Sequence, residues 1–436
     1  MNLSQDRLTF RSRQNGSSPY RVLLWVVLIL AGLWFYVQID AGAVAVFTPT
    51  PTPTRTGFSW AQEGQALFAA GNLDEAINAY LEAIKADPEN GALRAELAQI
   101  QVYSSAVLTT DEQRAARLQE ALAQADRAVE LAPQDSKAHA IRAFALDWNA
   151  NSELVTPEER EDLLFDAQQE ATTAIQLDAQ NALALAYLAE VQLDQFQWNL
   201  ALQTIETAVA RDPSLMDVYR VYGLVLESLG RYRDAIAAYQ KAAEIAPNMT
   251  FLYISIGQNF RQLERYEQAL EYFDLAASIN ERLGIQDPLP FIAIAKTYAR
   301  QGEFFIASRN AERALEFDPQ NPVVYGQLGT IYVQARNYET ALPVLKCAVY
   351  GCTAEENEVA QTLTGEGVAV EGLPLTSIDV AYYYVRYASV LAALNKCEQA
   401  YPVMEDLMAA YGDDAVIPEI VAENYAICRI LAEESQ

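Results

Sequence analysis

Small residues recur along this chain at a spacing close to 34, and this recurrence limits the fold more than any other feature. Glycine or alanine returns in phase at Gly64, Ala98, Ala143, Ala189, Gly223, Gly257, Ala295, Gly329 and Ala388. Alanine alone fills a second set: Ala76, Ala121, Ala167, Ala201, Ala235, Ala269, Ala307, Ala341 and Ala400. Paired helices can approach closely only where small side chains meet, because larger ones overpack the contact. The pattern therefore predicts nine stacked helix pairs.

Departures from this period indicate insertions. The spacing rises to 45 and 46 on either side of Ala121, and we expect longer turns around Tyr103–Glu112 and Trp148–Pro157. A larger surplus lies between Ala341 and Ala400. Because it is rich in Thr, Gly and acidic residues, the stretch from 355 to 378 is predicted to be a long surface loop.

The clearest unit runs from Met216 to Met249. It reads Tyr219-x2-Tyr222-Gly223-x2-Leu226, then Ala235-x3-Tyr239, and ends at Pro247. This order resembles the tetratricopeptide repeat family, whose pattern is W-x2-L-G-x2-Y, then A-x3-F, then P. Nine units fit, beginning near Gly57, Gly91, Ser136, Ala182, Met216, Thr250, Pro288, Pro322 and Ala381.

The resemblance implies an all-α, right-handed solenoid of about nine such helix pairs. Val421-Ala422-x2-Tyr425 repeats the first-helix phase without a second helix, so we expect a capping helix there, as such arrays need. The resulting division is a basic tail (1–21), a transmembrane helix (22–39), a Thr-Pro linker (40–56), the solenoid (57–414) and the cap (415–436).

The amino-terminal segment favours a membrane anchor. The run from Val22 to Val37 has no charge, and four arginines precede it: Arg7, Arg11, Arg13 and Arg21. The bias of basic residues toward the cytoplasm predicts a single-pass protein with its amino terminus inside and its repeats outside. A cleaved signal peptide, with small residues at Ala41–Ala45, is the alternative, and the protein would then be secreted. Thr48–Thr54 alternates Thr with Pro and is predicted to be an extended spacer.

Composition limits the partners. The chain has 30 Lys and Arg against 58 Asp and Glu, a net charge of -28, so its surface would repel nucleic acid. It has one histidine, His139, and no recognisable nucleotide-binding, hydrolase or metalloprotease motif. We therefore expect no enzymatic activity, metal or cofactor.

All four cysteines lie in the carboxy-terminal quarter, at Cys347, Cys352, Cys397 and Cys428. An exported region permits disulfides. Of the three possible connectivities we favour Cys347–Cys352 with Cys397–Cys428, because Cys397 and Cys428 would lie at the same end of the stack and pin the cap. Four reduced, buried cysteines are the alternative.

The resemblance also implies where a partner would bind, since the family commonly holds peptides or helices in the concave groove of its first helices. Applied to this sequence, the groove set starts with Phe68, Tyr103 and Asp147, and its main candidates are Phe144, Trp148, Glu190, Asp194, Arg220, Glu227, Gln258, Arg261, Lys296 and Arg300. The basic members are candidate receptors for a carboxylate or acidic segment, unless local acids such as Glu227 or Glu264 neutralise them.

Three functional hypotheses follow. The first is a membrane-anchored, extracytoplasmic scaffold that binds protein or peptide partners in its concave groove and serves in the assembly of cell-envelope complexes. The second is a carbohydrate-binding protein that stacks sugars on Tyr103, Phe144 and Trp148. The third is an enzyme that uses Asp147, Glu190 and Asp194 for acid–base chemistry, although no other motif supports it. The sequence leaves the oligomeric state and the partner open.

Overall fold

The computed structural model describes residues 18–40 and 55–434, and the chain divides into two compact units, Met1–Arg55 and Thr56–Gln436. In the first unit, helix α1 spans Pro19–Asp40. Within the described residues it is the one helix long and apolar enough to cross a membrane, with a mean hydropathy of 2.4 over Pro19–Ile39. Arg7, Arg11, Arg13 and the Thr-Pro spacer lie outside the described residues.

Over residues 56–434, the regular secondary structure of the second unit is helical apart from one isolated β-bridge. The unit begins with nine antiparallel helix pairs, as the sequence predicts. The first five pairs are α2 (Gly57–Ala70) with α3 (Leu73–Ala86), α4 (Gly91–Ser105) with α5 (Asp111–Leu131), α6 (Ser136–Ala150) with α7 (Pro157–Leu177), α8 (Ala182–Asp194) with α9 (Trp198–Arg211), and α10 (Met216–Ser228) with α11 (Tyr232–Ile245).

The remaining pairs are α12 (Thr250–Gln262) with α13 (Tyr266–Leu283), α14 (Leu289–Arg300) with α15 (Phe304–Phe317), α16 (Pro322–Gln334) with α17 (Tyr338–Val349), and α19 (Ile378–Ala393) with α20 (Cys397–Tyr411). A short helix α18 (Glu358–Thr364) lies between the last two pairs, and α21 (Ile417–Glu434) packs on both helices of the ninth pair. The predicted all-α solenoid with a terminal helix is confirmed.

The recurring small residues lie at the contacts between paired helices. Every alanine in both recurring sets is completely buried. The glycines face large side chains of the second helix: a β-carbon added at Gly64 would lie 2.6 Å from the ring of Tyr80, and one at Gly329 would crowd Leu345. Close helix packing therefore explains the small residues.

Seven of the nine pairs share one turn geometry. The residue between the two helices has a positive φ in each, and these residues are Gly71, Phe196, Gly230, Glu264, Gly302, Arg336 and Asn395. The next residue donates its backbone N–H to a carbonyl five positions earlier, as Arg231 does to Leu226 at 2.8 Å. This is the Schellman arrangement, which satisfies carbonyl groups that the end of a helix leaves free.

The second and third pairs are built differently from our prediction. We expected the surplus residues in longer turns around Tyr103–Glu112 and Trp148–Pro157, but Tyr103 and Trp148 lie within helices. Most of the surplus lengthens α5 and α7 to 21 residues each, against 14 in α3, α9 and α11. Thr110 and Thr156 cap the two long helices, and their hydroxyl groups accept the N–H groups of Gln113 and Glu159.

The predicted surface loop before the ninth pair is also more ordered than expected. Asn357 caps the start of α18, is 1% exposed, and donates its side-chain amide to the hydroxyl of Tyr325 and the carbonyl of Val368. Cys352 forms the β-bridge with Val370. The segment therefore packs on the helix stack because its amide and apolar side chains find partners there.

Both disulfides join the cysteines that we paired from the sequence. The Cα atoms of Cys347 and Cys352 are 4.8 Å apart, and those of Cys397 and Cys428 are 5.6 Å apart. The first bond ties the end of α17 to Cys352, which forms the β-bridge with Val370. The second ties α20 to α21 and so fixes the terminal helix to the last pair.

Candidate partner-binding surface

Residues far apart in the chain meet on the inner side of the coil. Asn248 donates to the carbonyl of Ala69 at 3.2 Å, so the turn after the fifth pair contacts the first pair. Asn321 donates to the hydroxyl of Thr109 at 2.6 Å, which joins the start of the eighth pair to the turn of the second. The coil therefore closes on itself.

An aromatic layer fills the space that this closure leaves. Tyr103 stacks on Phe251 of the sixth pair with ring centroids 5.4 Å apart, and Phe144 stacks on Tyr187 at 4.3 Å. Phe68 and Trp148 complete the layer. Tyr103, Phe144 and Tyr187 are completely buried, so the layer forms a second core between distant pairs.

A buried ion pair lies against this layer. Two nitrogens of Arg220 donate to the two carboxylate oxygens of Glu190 at 2.7 and 2.6 Å, and both side chains are almost fully buried. The guanidinium of Arg220 lies 5.2 Å from the ring centre of Phe144. Burial opposes the charge of Arg220, but Glu190 stabilises it and the pKa stays well above its usual value. The geometry is bidentate, which is the strongest arrangement of this pair.

Further acids surround the ion pair. Asp217 accepts hydrogen bonds from the hydroxyl groups of Tyr103 and Tyr187 and from the amide of Gln99. Burial, Asp194 and Glu190 together raise the pKa of Asp147 well above its usual value. Burial and Glu190 raise the pKa of Asp194 to about 6. Ionisation of Asp147 and Asp194 is therefore opposed by burial and by the neighbouring acids.

These positions correct several expectations. Phe144, Glu190 and Arg220 were predicted to face an open groove, but the closure of the coil buries them against their own chain. Tyr103 and Phe144 have no exposed ring on which a sugar could stack. Glu190 is held by Arg220 and Asp147 is 1% exposed, so neither is placed to contact a substrate as the acid–base hypothesis requires.

Other predicted groove residues are partly accessible. Trp148, Asp194, Glu227 and Gln258 are half-buried. Trp148 donates to Glu190 at 3.1 Å, and Glu227 accepts from the Tyr239 hydroxyl and the Asn259 amide. Glu227 thus serves the packing of the fifth and sixth pairs, and it makes no ion pair with Arg261.

Arg261, Lys296 and Arg300 come together around one recess of about 200 Å³, which we term the cationic recess. Its other walls are Ala299, Gln327, Thr330, Ile331 and Gln334. Within the described residues, none of the three cations forms an ion pair, and Arg261 donates one long hydrogen bond to the carbonyl of Ala293 at 3.4 Å. The Nε–H of Arg261 is buried and has no acceptor.

Burial and repulsion between like charges lower the pKa of two of these groups. Burial and Arg300 lower the pKa of Arg261 to about 10. The side chain of Lys296 reaches solvent, but many protein atoms lie around it. The loss of hydration and the neighbouring Arg261 lower the pKa of Lys296, and Asp379 opposes this in part. An anion in the recess would relieve the repulsion and supply the acceptor that Arg261 lacks.

Two further recesses adjoin this one. The central recess, of about 360 Å³, shares Lys296, Gln327 and Thr330 with it. The anionic recess, of about 390 Å³, shares Asp111, Arg114 and Glu153 with the central recess. Trp148, Glu190 and Asp194 line the far side of the anionic recess.

Sequence reasoning missed most of the residues that connect these recesses. Thr330 and Gln334 follow Lys296 and Arg300 by one period of 34, so extending the groove phase by one unit would have found them. Asp111, Arg114 and Glu153 come from the lengthened second and third units, and their positions depend on the closure of the coil. No local pattern marks them. Among the described residues, no group of acids, histidines or cysteines is arranged to hold a metal ion.

Comparison with known proteins gives four matches to the tetratricopeptide repeat, over residues 57–90, 188–250, 252–282 and 310–342. BBSome complex member BBS4 of Mus musculus is 23% identical over 134 residues, which are 31% of this chain and 25% of that protein. Anaphase-promoting complex subunit 3 of Schizosaccharomyces pombe is 29% identical over 120 residues, which are 28% of this chain and 17% of that protein. The chain thus spans a quarter or less of these relatives.

Among solved structures, the human IFIT1 dimer with PPP-AAAA has a TM-score of 0.52 at 14% identity, with 86% of this chain and 82% of that one covered. At this identity the likeness concerns the fold alone. The fold and the repeat matches agree with the phase of small residues and with the nine helix pairs. The chain therefore contains tetratricopeptide repeats over the four matched stretches and has the architecture of a scaffold for protein interactions.

Proposed function

We propose that this protein is a membrane-anchored scaffold whose repeats lie outside the cytoplasm and bind a protein or peptide partner by an acidic group. The observation that carries the proposal is the cationic recess. Three cations without a paired acid are costly to hold together, and this chain has 58 acids that could have neutralised them. An acidic side chain or a terminal carboxylate from a partner would supply the missing charge.

The proposed location rests on α1 and the cysteines. A helix of 22 residues with no charge beyond Arg21 and Asp40 is long enough to span a bilayer. Two disulfides in the repeat region suit an oxidising compartment. The same net charge of -28 that makes the recess unusual opposes binding of nucleic acid elsewhere on the surface.

Location is tested by adding protease to intact cells and identifying the amino terminus of the mature protein. We expect the repeats to be digested while residues 1–21 stay protected and attached. A mature protein that begins after residue 40 would support the secreted alternative. Protection of the repeats in intact cells would contradict export altogether.

Partner binding is tested by crosslinking in intact cells, followed by purification. The test variant carries Arg261→Glu, Lys296→Glu and Arg300→Glu. The matched control carries Arg233→Glu, Arg265→Glu and Arg309→Glu, three exposed residues outside the recesses, so the change of net charge is the same. We expect a crosslinked protein that the control retains and the test variant loses. Equal recovery by both variants, or no crosslinked protein at all, would contradict the proposal.

A further inference from the structure

The three adjoining recesses differ in charge in a regular order. The cationic recess is lined by three bases and no acid. The central recess has three acids and three bases, which are Asp111, Glu153 and Asp379 and Arg114, Lys296 and Arg386. The anionic recess has four acids and one base, because Glu190 and Asp194 join Asp111 and Glu153 opposite Arg114. Charge therefore changes sign along one connected interior.

The acids of the anionic recess are unequally neutralised. Arg114 pairs with Asp111, and Arg220, which does not line the recess, pairs with Glu190. Glu153 is exposed and makes no ion pair within the described residues. Asp194 accepts the amide of Asn151 at 2.7 Å, shares a hydrogen bond with Asp147, and lies near the positive charge of Arg160. Negative charge at this end therefore remains available to a ligand.

A further buried acid, Asp147, lies at the same end. It immediately precedes Trp148 and is 1% exposed; its carboxyl group has Asp194 as a hydrogen-bond partner but no amide, guanidinium or hydroxyl donor within the described residues. Its charged neighbours are Asp194 and Glu190, which line the recess, and Arg220, which pairs with Glu190. Trp148 offers an indole ring beside them, and aromatic rings stabilise ammonium and guanidinium groups.

We propose that the interior binds an extended peptide with opposite charges at its two ends, the acidic end in the cationic recess and the basic end in the anionic recess. This inference rests on the proposed function, because it uses the cationic recess as one of its two sites. It adds a requirement that the partner segment be bipolar, and it fixes the direction in which the segment lies. A uniformly acidic segment would be repelled at Glu153 and Asp194.

The probes are synthetic peptides with blocked ends, measured by calorimetry against the full-length protein in detergent. The bipolar peptide has two Glu, a Gly-Ser linker and two Lys, made with linkers of increasing length. The mixed peptide has the same composition with Glu and Lys alternating at both ends. The acidic peptide replaces both Lys of the bipolar peptide with Gln.

We expect the bipolar peptide, at its best linker length, to bind about tenfold more tightly than the acidic and the mixed peptides, since a second engaged site adds affinity. Glu153→Gln with Asp194→Asn should remove this advantage and leave the acidic peptide unaffected. Lys296→Gln should weaken both the bipolar and the acidic peptide. Unchanged circular dichroism and melting temperature confirm that each variant folds.

The outcomes separate the two proposals. Equal binding of the bipolar and acidic peptides at every linker length would overturn the bipolar inference while leaving the cationic recess as the binding site. An advantage that survives Glu153→Gln with Asp194→Asn would overturn it as well. No binding of the acidic or the bipolar peptide would contradict the proposed function itself, and the inference with it.

Discussion

Gly223 lies against the ring of Tyr239, and a β-carbon at Gly223 would be 2.8 Å from three ring carbons. The glycine belongs to the first helix of the fifth pair and the tyrosine to the second. In the fourth pair Ala189 and Ile205 occupy the same two places, and both are completely buried. The size of one residue is therefore matched to the size of the other across each pair.

We expect Gly223→Ala to lower the free energy of unfolding by about 1–2 kcal/mol, because overpacking costs more than the added helix propensity gains. In a Tyr239→Ile background, which reproduces the natural fourth pair, the same change should be neutral or stabilising. Urea denaturation of the four proteins of this cycle gives the coupling directly. Equal effects of Gly223→Ala in both backgrounds would show that the ring is not the obstacle.

This matching explains why the fold was predictable. Ala98 and Ala388 are completely buried at their predicted contacts, although the spacing around them departs from 34. Each small residue reports a contact with the neighbouring helix, which is local in sequence. The lengths of α5 and α7 were not predicted, since extra turns of helix and a longer loop leave the same spacing between alanines.

The Glu190–Arg220 pair provides a test of the interior. Arg220→Met should lower the free energy of unfolding by about 3–5 kcal/mol, because it leaves Glu190 buried without its counter-charge. Adding Glu190→Gln should recover much of this loss, since the glutamine oxygen can still accept from Trp148. Thermal and urea unfolding both report the difference. A double variant no more stable than Arg220→Met would show that the arginine acts by packing alone.

The contribution of Asp194 to stability should fall as the pH rises from about 4 to about 6.5. Burial and Glu190 raise the pKa of Asp194 to about 6 in the folded state, so the folded protein holds a proton that the unfolded chain has already released. The unfolded state then binds fewer protons, and the free energy of unfolding declines by at most about 1.4 kcal/mol per pH unit for this group. Asp147, Arg160 and Asn151 share its surroundings.

Asp194→Asn should therefore flatten the decline between pH 4 and pH 6.5. Asp212→Asn is the control, because hydrogen bonds from Ser214 lower the pKa of Asp212 and its contribution is lost only at more acidic pH. Melting temperature measured across this range distinguishes them. An equal slope in the wild type and Asp194→Asn would contradict the assignment.

Removal of the Cys397–Cys428 bond should release the terminal helix. Cys397→Ser with Cys428→Ser should cost about 3–4 kcal/mol by the loop-entropy estimate and should expose the segment between α20 and α21 to protease. Cys347→Ser with Cys352→Ser is the comparison, and its increase in hydrogen exchange should be confined to 350–374. Identical cleavage of both variants would show that the cap is held by packing.

The binding surface was less predictable than the fold. Arg261, Lys296 and Arg300 follow one another along the first-helix phase, so the sequence brought them together correctly. Phe144 and Arg220 share that phase but are buried, because the coil curves until the second pair meets the sixth. Curvature accumulates from small rotations between all the pairs, and no single stretch of sequence encodes it.

The turns between paired helices offer one more test. Phe196, Glu264, Arg336 and Asn395 adopt a left-handed backbone where Gly230 and Gly302 serve elsewhere. Replacement of Glu264 with glycine should raise the melting temperature slightly, since its side chain is exposed and the strain that a β-carbon causes there is removed. A lower melting temperature would mean that the exposed side chain contributes more than the strain costs.

A glycine at any of these four of the seven shared turns should therefore raise the stability of the protein. They lie where the two helices of a pair join, away from the residues that line the charged interior. Glycine substitutions at these turns would give a more stable protein for structural work and would keep every residue that is proposed to contact a partner.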